Sequence, residues 1–194
     1  MKIAHINMFY LPTFGGVEQV MYELAQRQIR DGHEVHVYCC DSDKYGRVKK
    51  KHEIIEGVHV HRLPYWFRLS YNTFFWPSLL WKMKEKFDVV HTHVAGHDYI
   101  LFTGILAKIK GFKHVHTTHC PWTDTSFRPP ILRPFLILND LFMNRLSFNF
   151  VDKIFPITPW ESDKLDKYIK NKNKIKVIPN GTDKILYEKI TDNQ

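Results

Sequence analysis

Histidines in this sequence lie at the ends of short apolar runs, where side chains can reach a shared cleft. His119 directly follows the run "HVHTT" and precedes "CPW", where the chain must turn. A neutral imidazole donates one hydrogen bond and accepts another, so it can orient a polar substrate or move a proton. We therefore interpret His119 as a candidate functional side chain.

A second histidine pattern raises the question of metal binding. His91, His93 and His97 follow the spacing H-x-H-x3-H, which could supply three nitrogen ligands. Asp98 is the one carboxylate at ligand spacing, and histidines on buried strands often serve as hydrogen-bonded core. We expect no metal site here and no essential metal cofactor.

Two adjacent glycines, Gly15 and Gly16, separate the apolar run "KIAHINM" from a helical pattern. The free N–H groups and the positive dipole end of a helix N-terminus can hold a phosphate group. A plain tight turn is the alternative interpretation. The sequence has neither the G-x-G-x-x-G fingerprint nor a P-loop Gly-Lys-Ser/Thr, so neither kind of site is predicted.

The elements that must position these residues alternate between β-rich runs and helical patterns. This alternation predicts βα units around a mostly parallel sheet with helices on both faces. Ligands bind beyond the carboxyl ends of strands in such sheets, so we expect Gly15–Gly16, His119 and Thr158 to meet at one edge. The predicted strands comprise residues 2–8, 34–40, 57–63, 87–93, 112–118, 152–158 and 174–180.

Start and stop signals bound the helices. Asp31-Gly32 ends the first helix, and Gly111 caps another that ends at Lys110. The run "TPWE" at 158–161 predicts a capping box with Thr158 as the N-cap. Further helices are predicted from Pro77 to about Lys86 and over residues 131–148.

Composition favours a folded domain with anionic partners. Apolar residues make up 44% of the 194 residues, and the net charge is +8. The basic run at 44–52 is interpreted as a solvated loop. The three cysteines show no disulfide spacing, and the N-terminus lacks a signal-peptide pattern, so we expect a cytoplasmic protein.

An aromatic stretch, "PYWFRLSYNTFFWP" at 64–77, permits two interpretations. It packs into the core, or it forms a surface that meets an apolar acceptor or a membrane. Arg68 and nearby lysines would attract anionic lipid in the second case.

Six segments along the chain carry a resemblance to a known family. They are, in order, "GGVEQVMYELAQRQIRDGHEVHVY", "GVHVHRLP", "DVVHTH", "VHTTHC", "FPITPWESDKL" and "IKVIPNGTD". With these segments the chain resembles the N-terminal half of a GT-B glycosyltransferase of the large retaining family 4. The resemblance implies a Rossmann-like domain of about seven strands over residues 1–180 and a hinge or tail at 181–194. It also implies that the C-terminal donor-binding domain is missing from this chain.

The resemblance also implies roles for individual residues. His119 would contact the transferred sugar close to its anomeric carbon, and Gly15–Gly16 would bring backbone N–H groups to the donor diphosphate. Glu18, His93 and Thr158 would lie along the acceptor side of the cleft.

The implied reaction is transfer of a hexose from a nucleotide-diphosphate sugar to an acceptor hydroxyl, with retention of configuration. From the aromatic stretch and the basic residues we further hypothesise that the acceptor is a glycan or glycolipid in cell-envelope or glycolipid synthesis, reached by peripheral contact with the anionic inner face of a membrane. No nucleic-acid partner is expected, and the isolated chain should be inactive without the C-terminal domain.

Other functions stay open at this point. The charge fits a non-catalytic nucleotide- or nucleic-acid-binding Rossmann-like domain, although the basic residues are scattered and no binding motif is present. An NAD-dependent enzyme would share the fold class but lacks the fingerprint. A metallohydrolase would have to use the histidines.

Overall fold

The computed structural model describes residues 1–43, 45–70, 73–119 and 130–181. Its strands are β1 (Lys2–Ile6), β2 (Glu34–Cys40), β3 (His52–Ile55), β4 (Val58–Leu63), β5 (Phe67–Ser70), β6 (Thr73–Phe75), β7 (Val89–His93), β8 (Lys113–Thr117) and β9 (Lys153–Phe155). Its α-helices are α1 (Gly16–Arg30), α2 (Leu79–Lys82), α3 (Asp98–Lys110), α4 (Arg133–Asn139), α5 (Arg145–Asn149) and α6 (Pro159–Leu165).

A seven-stranded sheet forms the centre of the molecule, in the order β3-β4-β2-β1-β7-β8-β9. All neighbouring pairs are parallel except β3 and β4, which are antiparallel. The sheet confirms the predicted α/β, Rossmann-like fold class. β3 was not predicted, because His52–Ile55 begins at the last residue of the basic run that was interpreted as a loop.

The seventh predicted strand, at 174–180, is wrong. A 3-10 turn at Lys172–Lys174 precedes an isolated bridge between Ile154 and Ile175. The N–H groups of Lys176 and Ile178 then donate to the carbonyls of Ile154 and Pro156. Pro156 has no amide hydrogen to return a bond, so a regular ladder does not continue.

Each face of the sheet packs against its own hydrophobic core. On one face, Met21 and Ala25 of α1 pack against valines of β2 and β4. On the other face, a larger core gathers around Trp76, Tyr99 and Ile100. His5 of β1 lies directly beside His91 of β7 in the register, so these two rings share the α1 face.

Helix boundaries follow the predicted signals in most places. The α1 helix ends at Arg30, and Gly111 adopts a left-handed conformation (φ +78°) after α3. The α2 helix is shorter than predicted because it spans four residues instead of running to Lys86. The predicted helix at 131–148 is divided, since a π-helical segment at Asp140–Asn144 separates α4 from α5.

The aromatic stretch at 64–77 is divided between the core and the surface. The antiparallel strands β5 and β6 form a small sheet of their own. Phe74 and Trp76 are buried in the core, whereas Trp66 and Phe67 are 63% and 48% exposed. Some rings of the stretch therefore pack into the core, and others are exposed to solvent.

A second apolar surface lies on residues 131–146. The exposed side chains of this surface are Ile131, Ile137, Leu138, Leu141, Phe142 and Leu146. Among the described residues, no helix combines the length and the apolar character needed to cross a membrane.

Candidate functional site

A cavity of about 950 Å³ lies at the edge of the sheet where β7, β8 and β9 end. One wall is formed by α1, and another by the chain at 178–181. Its floor consists of side chains from the strand ends, namely His91, His93, Thr117, His119 and Phe155. This is the edge at which an open parallel sheet binds ligands.

Three imidazoles form a continuous hydrogen-bonded chain beneath this cavity, which we call the relay. Nε2 of His119 lies 3.0 Å from Nδ1 of His93, and Nε2 of His93 lies 3.0 Å from Nδ1 of His5. Nε2 of His5 lies 2.8 Å from Oε1 of Gln28 on α1. The relay thus connects the cavity to the side of the first helix.

The Gln28 oxygen sets the direction of the relay because it can only accept a hydrogen bond. His5 must therefore donate through Nε2, which makes its Nδ1 an acceptor. The same logic makes His93 donate through Nε2 and accept through Nδ1, so His119 donates through Nε2. Nδ1 of His119 is left as an acceptor, suited to a substrate hydroxyl.

Burial keeps the rings of the relay neutral. Burial lowers the pKa of His119 and of His5 to about 4, and it lowers the pKa of His93 well below its usual value. A neutral ring has one donor and one acceptor nitrogen, which the chain of hydrogen bonds requires at every step. His119 therefore carries no positive charge at neutral pH.

The backbone around His119 is held in an unfavourable conformation. His119 and Val94 have left-handed φ values of +49° and +63° at the ends of adjacent strands. Val94 and Ala95 donate hydrogen bonds to the carbonyls of Thr117 and Thr118, at 3.0 and 3.1 Å. Strained backbone of this kind persists where neighbouring contacts fix it, and it is frequent at functional sites.

Thr158 lies next to this region but does not line the cavity. Its hydroxyl accepts from the N–H of Glu161 at 3.3 Å, which confirms the predicted N-cap. The Glu161 carboxylate is fully buried and accepts from the Thr118 hydroxyl and from the N–H of Ile157. The start of α6 is thereby tied to the residue that precedes His119.

Gly15, Gly16 and Glu18 lie together at the start of α1. Glu18 is buried, accepts a hydrogen bond from Asn7 at 3.0 Å and does not line the cavity. A Cβ at position 15 would lie 2.6 Å from Oε2 of Glu18, so Gly15 makes room for that carboxylate. A Cβ at Gly16 would meet nothing within 4 Å, which leaves the N-terminus of α1 open to an approaching group.

The sequence interpretation missed His5 and Gln28. His5 stands within an apolar run, where a lone histidine is usually part of the core, and Gln28 lies near the end of a helix. The strand order could have revealed His5, because β1 lies next to β7 in this sheet and His5 therefore lies beside His91.

Three groups of side chains among the described residues could hold a metal ion by proximity. One comprises His5, His91 and His93. In that group the relay already uses both ring nitrogens of His5 and His93. His97, the third member of the sequence pattern, instead stacks on Tyr99 with ring centroids 5.4 Å apart.

The sheet order and the cavity at its carboxyl edge define a Rossmann-like α/β domain with a candidate ligand site. A family model for Glycosyltransferase Family 4 matches residues 14–184, and the chain belongs to this family. The resemblance seen in the sequence is thereby confirmed.

Two curated relatives are glycosyltransferase subunits by name. One subunit of the phosphatidylinositol N-acetylglucosaminyltransferase of Arabidopsis thaliana is 24% identical over 200 residues, which cover 97% of this chain and 41% of the plant protein. The protein of the same name in Homo sapiens is 29% identical over 130 residues, which cover 61% of this chain and 25% of the human protein. The chain thus spans less than half the length of these relatives.

Solved structures confirm the fold. Anabaena Alr3699/HepE in complex with UDP and glucose superimposes with a TM-score of 0.61 at 16% identity, covering 96% of this chain and 46% of that one. The catalytic domain of starch synthase IV from Arabidopsis thaliana, bound to ADP and acarbose, gives 0.60 at 13% identity, covering 96% and 52%.

Proposed function

We propose that the protein transfers a hexose from a nucleotide-diphosphate sugar to an acceptor hydroxyl, with retention of configuration. Membership of the glycosyltransferase family supports this proposal. The observation that carries it for this chain is the relay, which presents an acceptor nitrogen of His119 beside the cavity. A sugar hydroxyl is a suitable donor to that nitrogen.

His119 would orient the transferred sugar instead of attacking it. A neutral imidazole with a fixed tautomer holds one hydroxyl group in one direction, so the anomeric carbon is positioned for reaction. As the glycosidic bond breaks, the acceptor hydroxyl attacks from the side of the leaving group, and the departing phosphate takes the hydroxyl's proton. The relay contributes a hydrogen-bond network that need not reorganise during that step.

Gly15 and Gly16 would place the N-terminus of α1 against the donor diphosphate. Negative charge grows on the diphosphate during the reaction, and free N–H groups at a helix N-terminus stabilise it. The open space around Gly16 supports this assignment, although Gly15 has a sufficient structural reason in Glu18. We further propose that Glu18, His93 and Thr158 influence the acceptor side, and that no metal ion is essential.

The proposed acceptor is a glycolipid at the inner face of a membrane. The names of the curated relatives support a lipid-linked acceptor. The exposed apolar side chains at 131–146, together with Trp66 and Phe67, would give such a protein a surface for peripheral contact. The net charge of +8 favours anionic lipid.

The transfer reaction can be tested with the protein expressed with everything its gene encodes. Radiolabelled nucleotide sugars and membrane lipid extracts should yield a labelled glycolipid with retained anomeric configuration, and EDTA should leave the rate unchanged. His119→Ala should abolish most of the transfer, whereas His33→Ala, outside the cavity, should not. Absence of transfer to any lipid or glycan acceptor, or full activity of His119→Ala, would contradict the proposal.

Membrane contact has a separate test. The protein should float with vesicles rich in anionic lipid at low salt, and Leu138→Ser with Phe142→Ser should reduce the floating fraction. Ile54→Ser is the matched control, because Ile54 is an exposed apolar residue on β3, away from residues 131–146. Equal flotation of all three proteins would remove this surface from the proposal.

A further inference from the structure

A second group of histidines lies away from the cavity, on the opposite face of the sheet from the relay. His36 of β2 is paired in register with His59 of β4, and both belong to the same face as Ala4. His61 follows on β4, and two carboxylates border the group. We call His36, His59, His61, Glu34 and Glu85 the edge cluster.

Within the edge cluster, imidazole nitrogens and carboxylate oxygens that could act as metal ligands lie close together. Nε2 of His36 lies 3.8 Å from Oε2 of Glu85, and Nε2 of His61 lies 3.9 Å from Oε1 of the same carboxylate. Oε1 of Glu34 lies 2.8 Å from Nε2 of His36. The ligand atoms of His36, His61 and Glu85 all lie within 4.8 Å of one another.

These separations approach the geometry of a tetrahedral zinc site. Zinc–nitrogen and zinc–oxygen distances of about 2.0–2.2 Å place ligand atoms about 3.3 Å apart in a tetrahedron. Each of the two measured distances to Glu85 has to shorten by about 0.5 Å to reach that value. Glu85 lies in the connection before β7 and is partly exposed, so its carboxylate can move by that amount.

We propose that the edge cluster binds a zinc ion through His36, His61 and Glu85, with Glu34 beside it to complete the site. Two imidazoles and one carboxylate form a ligand set that suits zinc among the divalent ions. This site is independent of the sugar-transfer proposal, because none of its residues lines the cavity.

The edge cluster already attracts a cation. The Lys2 ammonium pairs with Glu34 at 2.9 Å and also with Glu85. With neutral histidines, the two carboxylates and Lys2 leave one net negative charge, which a divalent ion would overcompensate. Lys2 therefore competes with zinc for Glu34 and Glu85.

The two histidines are neutral at neutral pH, and zinc coordination through Nε2 moves each ring proton to Nδ1, because Nε2 of His36 now donates to Glu34 and Nε2 of His61 donates to Nδ1 of His36. Burial lowers the pKa of His36, and it lowers the pKa of His61 to about 4. Both rings are therefore neutral, and metal binding releases no proton from them. Coordination replaces the present hydrogen bond between Nδ1 of His36 and Nε2 of His61, which are 2.9 Å apart.

A bound zinc ion would join three parts of the chain. His36 belongs to β2, His61 to β4, and Glu85 to the segment that leads into β7. Since β4 and β3 form one edge of the sheet, the ion would secure that edge to the centre. Zinc at about 100 times its dissociation constant should raise the melting temperature by about 5 °C or more.

The experiment is a zinc titration of the chain after chelator treatment, followed by calorimetry and by the visible absorption of cobalt as a substitute ion. The expected result is one tight site per chain with tetrahedral cobalt bands. His61→Gln and Glu85→Gln should each weaken binding by at least about tenfold. Both side chains are partly exposed, and circular dichroism checks that the variants fold.

Controls separate this site from zinc binding elsewhere on the chain. Asp163→Asn removes one carboxylate outside the edge cluster and should leave zinc affinity unchanged. His91→Gln tests the buried group formed with His5 and His93. Zinc binding that survives His61→Gln but is lost in His91→Gln, or no binding below about 1 mM zinc, would overturn the proposal.

Lys2→Met gives a test in the opposite direction. Removing the ammonium frees Glu34 and Glu85, so zinc affinity should rise by roughly threefold to fivefold, the usual strength of an exposed ion pair. Weaker zinc binding in Lys2→Met would contradict the competition between Lys2 and zinc and count against the proposed ligand set.

Discussion

The relay and the edge cluster use the same side chain in opposite ways. The relay contains no charged group, and an amide oxygen at one end fixes the direction of every hydrogen bond. The edge cluster surrounds its imidazoles with carboxylates and a lysine. The neighbours of a histidine therefore decide whether it joins a neutral hydrogen-bonded chain or a group of charged side chains.

Location reinforces this contrast. The relay lies below the carboxyl ends of β7 and β8, where a ligand can reach His119. The edge cluster includes Glu34, the first residue of β2, and lies beside Lys2, the first residue of β1. Its partners also perturb each other, since His36 and Lys2 lower the pKa of Glu34 to about 2.

Acidification should produce the largest effect, because it protonates histidines of both clusters and other buried histidines. The unfolded chain binds protons on histidine below a pKa of about 6.5, but the folded chain does not until lower pH, so stability falls as pH drops from 6.5 towards 4. Five such groups change the free energy of unfolding by about 7 kcal/mol per pH unit near pH 5. The histidines with a pKa lowered to about 4 or about 3 include His5, His61, His97, His114 and His119.

Circular dichroism across pH measures this transition, and its steepness counts the protons taken up. Replacing His5 or His61 with Gln should each reduce that number by about one. A chain that stays folded at pH 4 would show that burial does not hold these rings neutral.

His119→Ala should give the next largest effect and should separate the two clusters. Loss of one positioned hydrogen-bonding group at a reacting centre typically costs about 10²–10³ in kcat. The intact protein should lose that much sugar transfer with His119→Ala. His52→Gln, which loses only the contact with His61 beside the edge cluster, should stay within about twofold. Equal losses would mean that the cavity is not the site of reaction.

Gln28 should have a smaller effect through the direction of the relay. Gln28→Met removes the acceptor, so His119 should no longer be held in one tautomer, and kcat should fall by about tenfold. Gln28→Glu keeps an acceptor and should restore the rate. Nitrogen-15 NMR of the His119 ring reads the tautomer directly, and a wild-type ring with its proton on Nδ1 would contradict the relay.

His52→Gln should change stability least. His52 is exposed, and its hydrogen bond to His61 is 3.1 Å long. We expect a change within about 0.5 kcal/mol in the free energy of unfolding, measured by urea denaturation. A larger loss would indicate that the edge cluster supports the sheet even without a metal ion.

The sequence predicted six of the strands because alternating βα patterns and stop signals such as Gly111 are local features. It did not predict β3, β5 or β6. β3 is an antiparallel edge strand after a charged loop, which has no distinctive pattern. It also predicted a strand at 174–180, where Pro156, which directly follows the neighbouring strand β9, cannot donate a hydrogen bond. These errors depend on partners that a local pattern does not reveal.

The site was predicted only in part, because the partners His5 and Gln28 are not revealed by a local sequence pattern. The sequence placed His119 and His93 at the carboxyl edge of the sheet, and the structure shows them hydrogen-bonded to each other beside the cavity. Their roles in sugar transfer stay predictions, as do those of Gly15, Gly16, Glu18 and Thr158. The predicted boundary at residue 180 also stays a prediction, since residues 182–194 lie outside the described part of the chain.

The close approach between position 15 and the Glu18 carboxylate constrains how this chain can change over generations. A lineage that gained a side chain at position 15 first would have to displace the Glu18 carboxylate, which is hydrogen-bonded to Asn7. A lineage that first shortened Glu18 would not. Residue 15 should therefore be replaced more easily after residue 18 has changed.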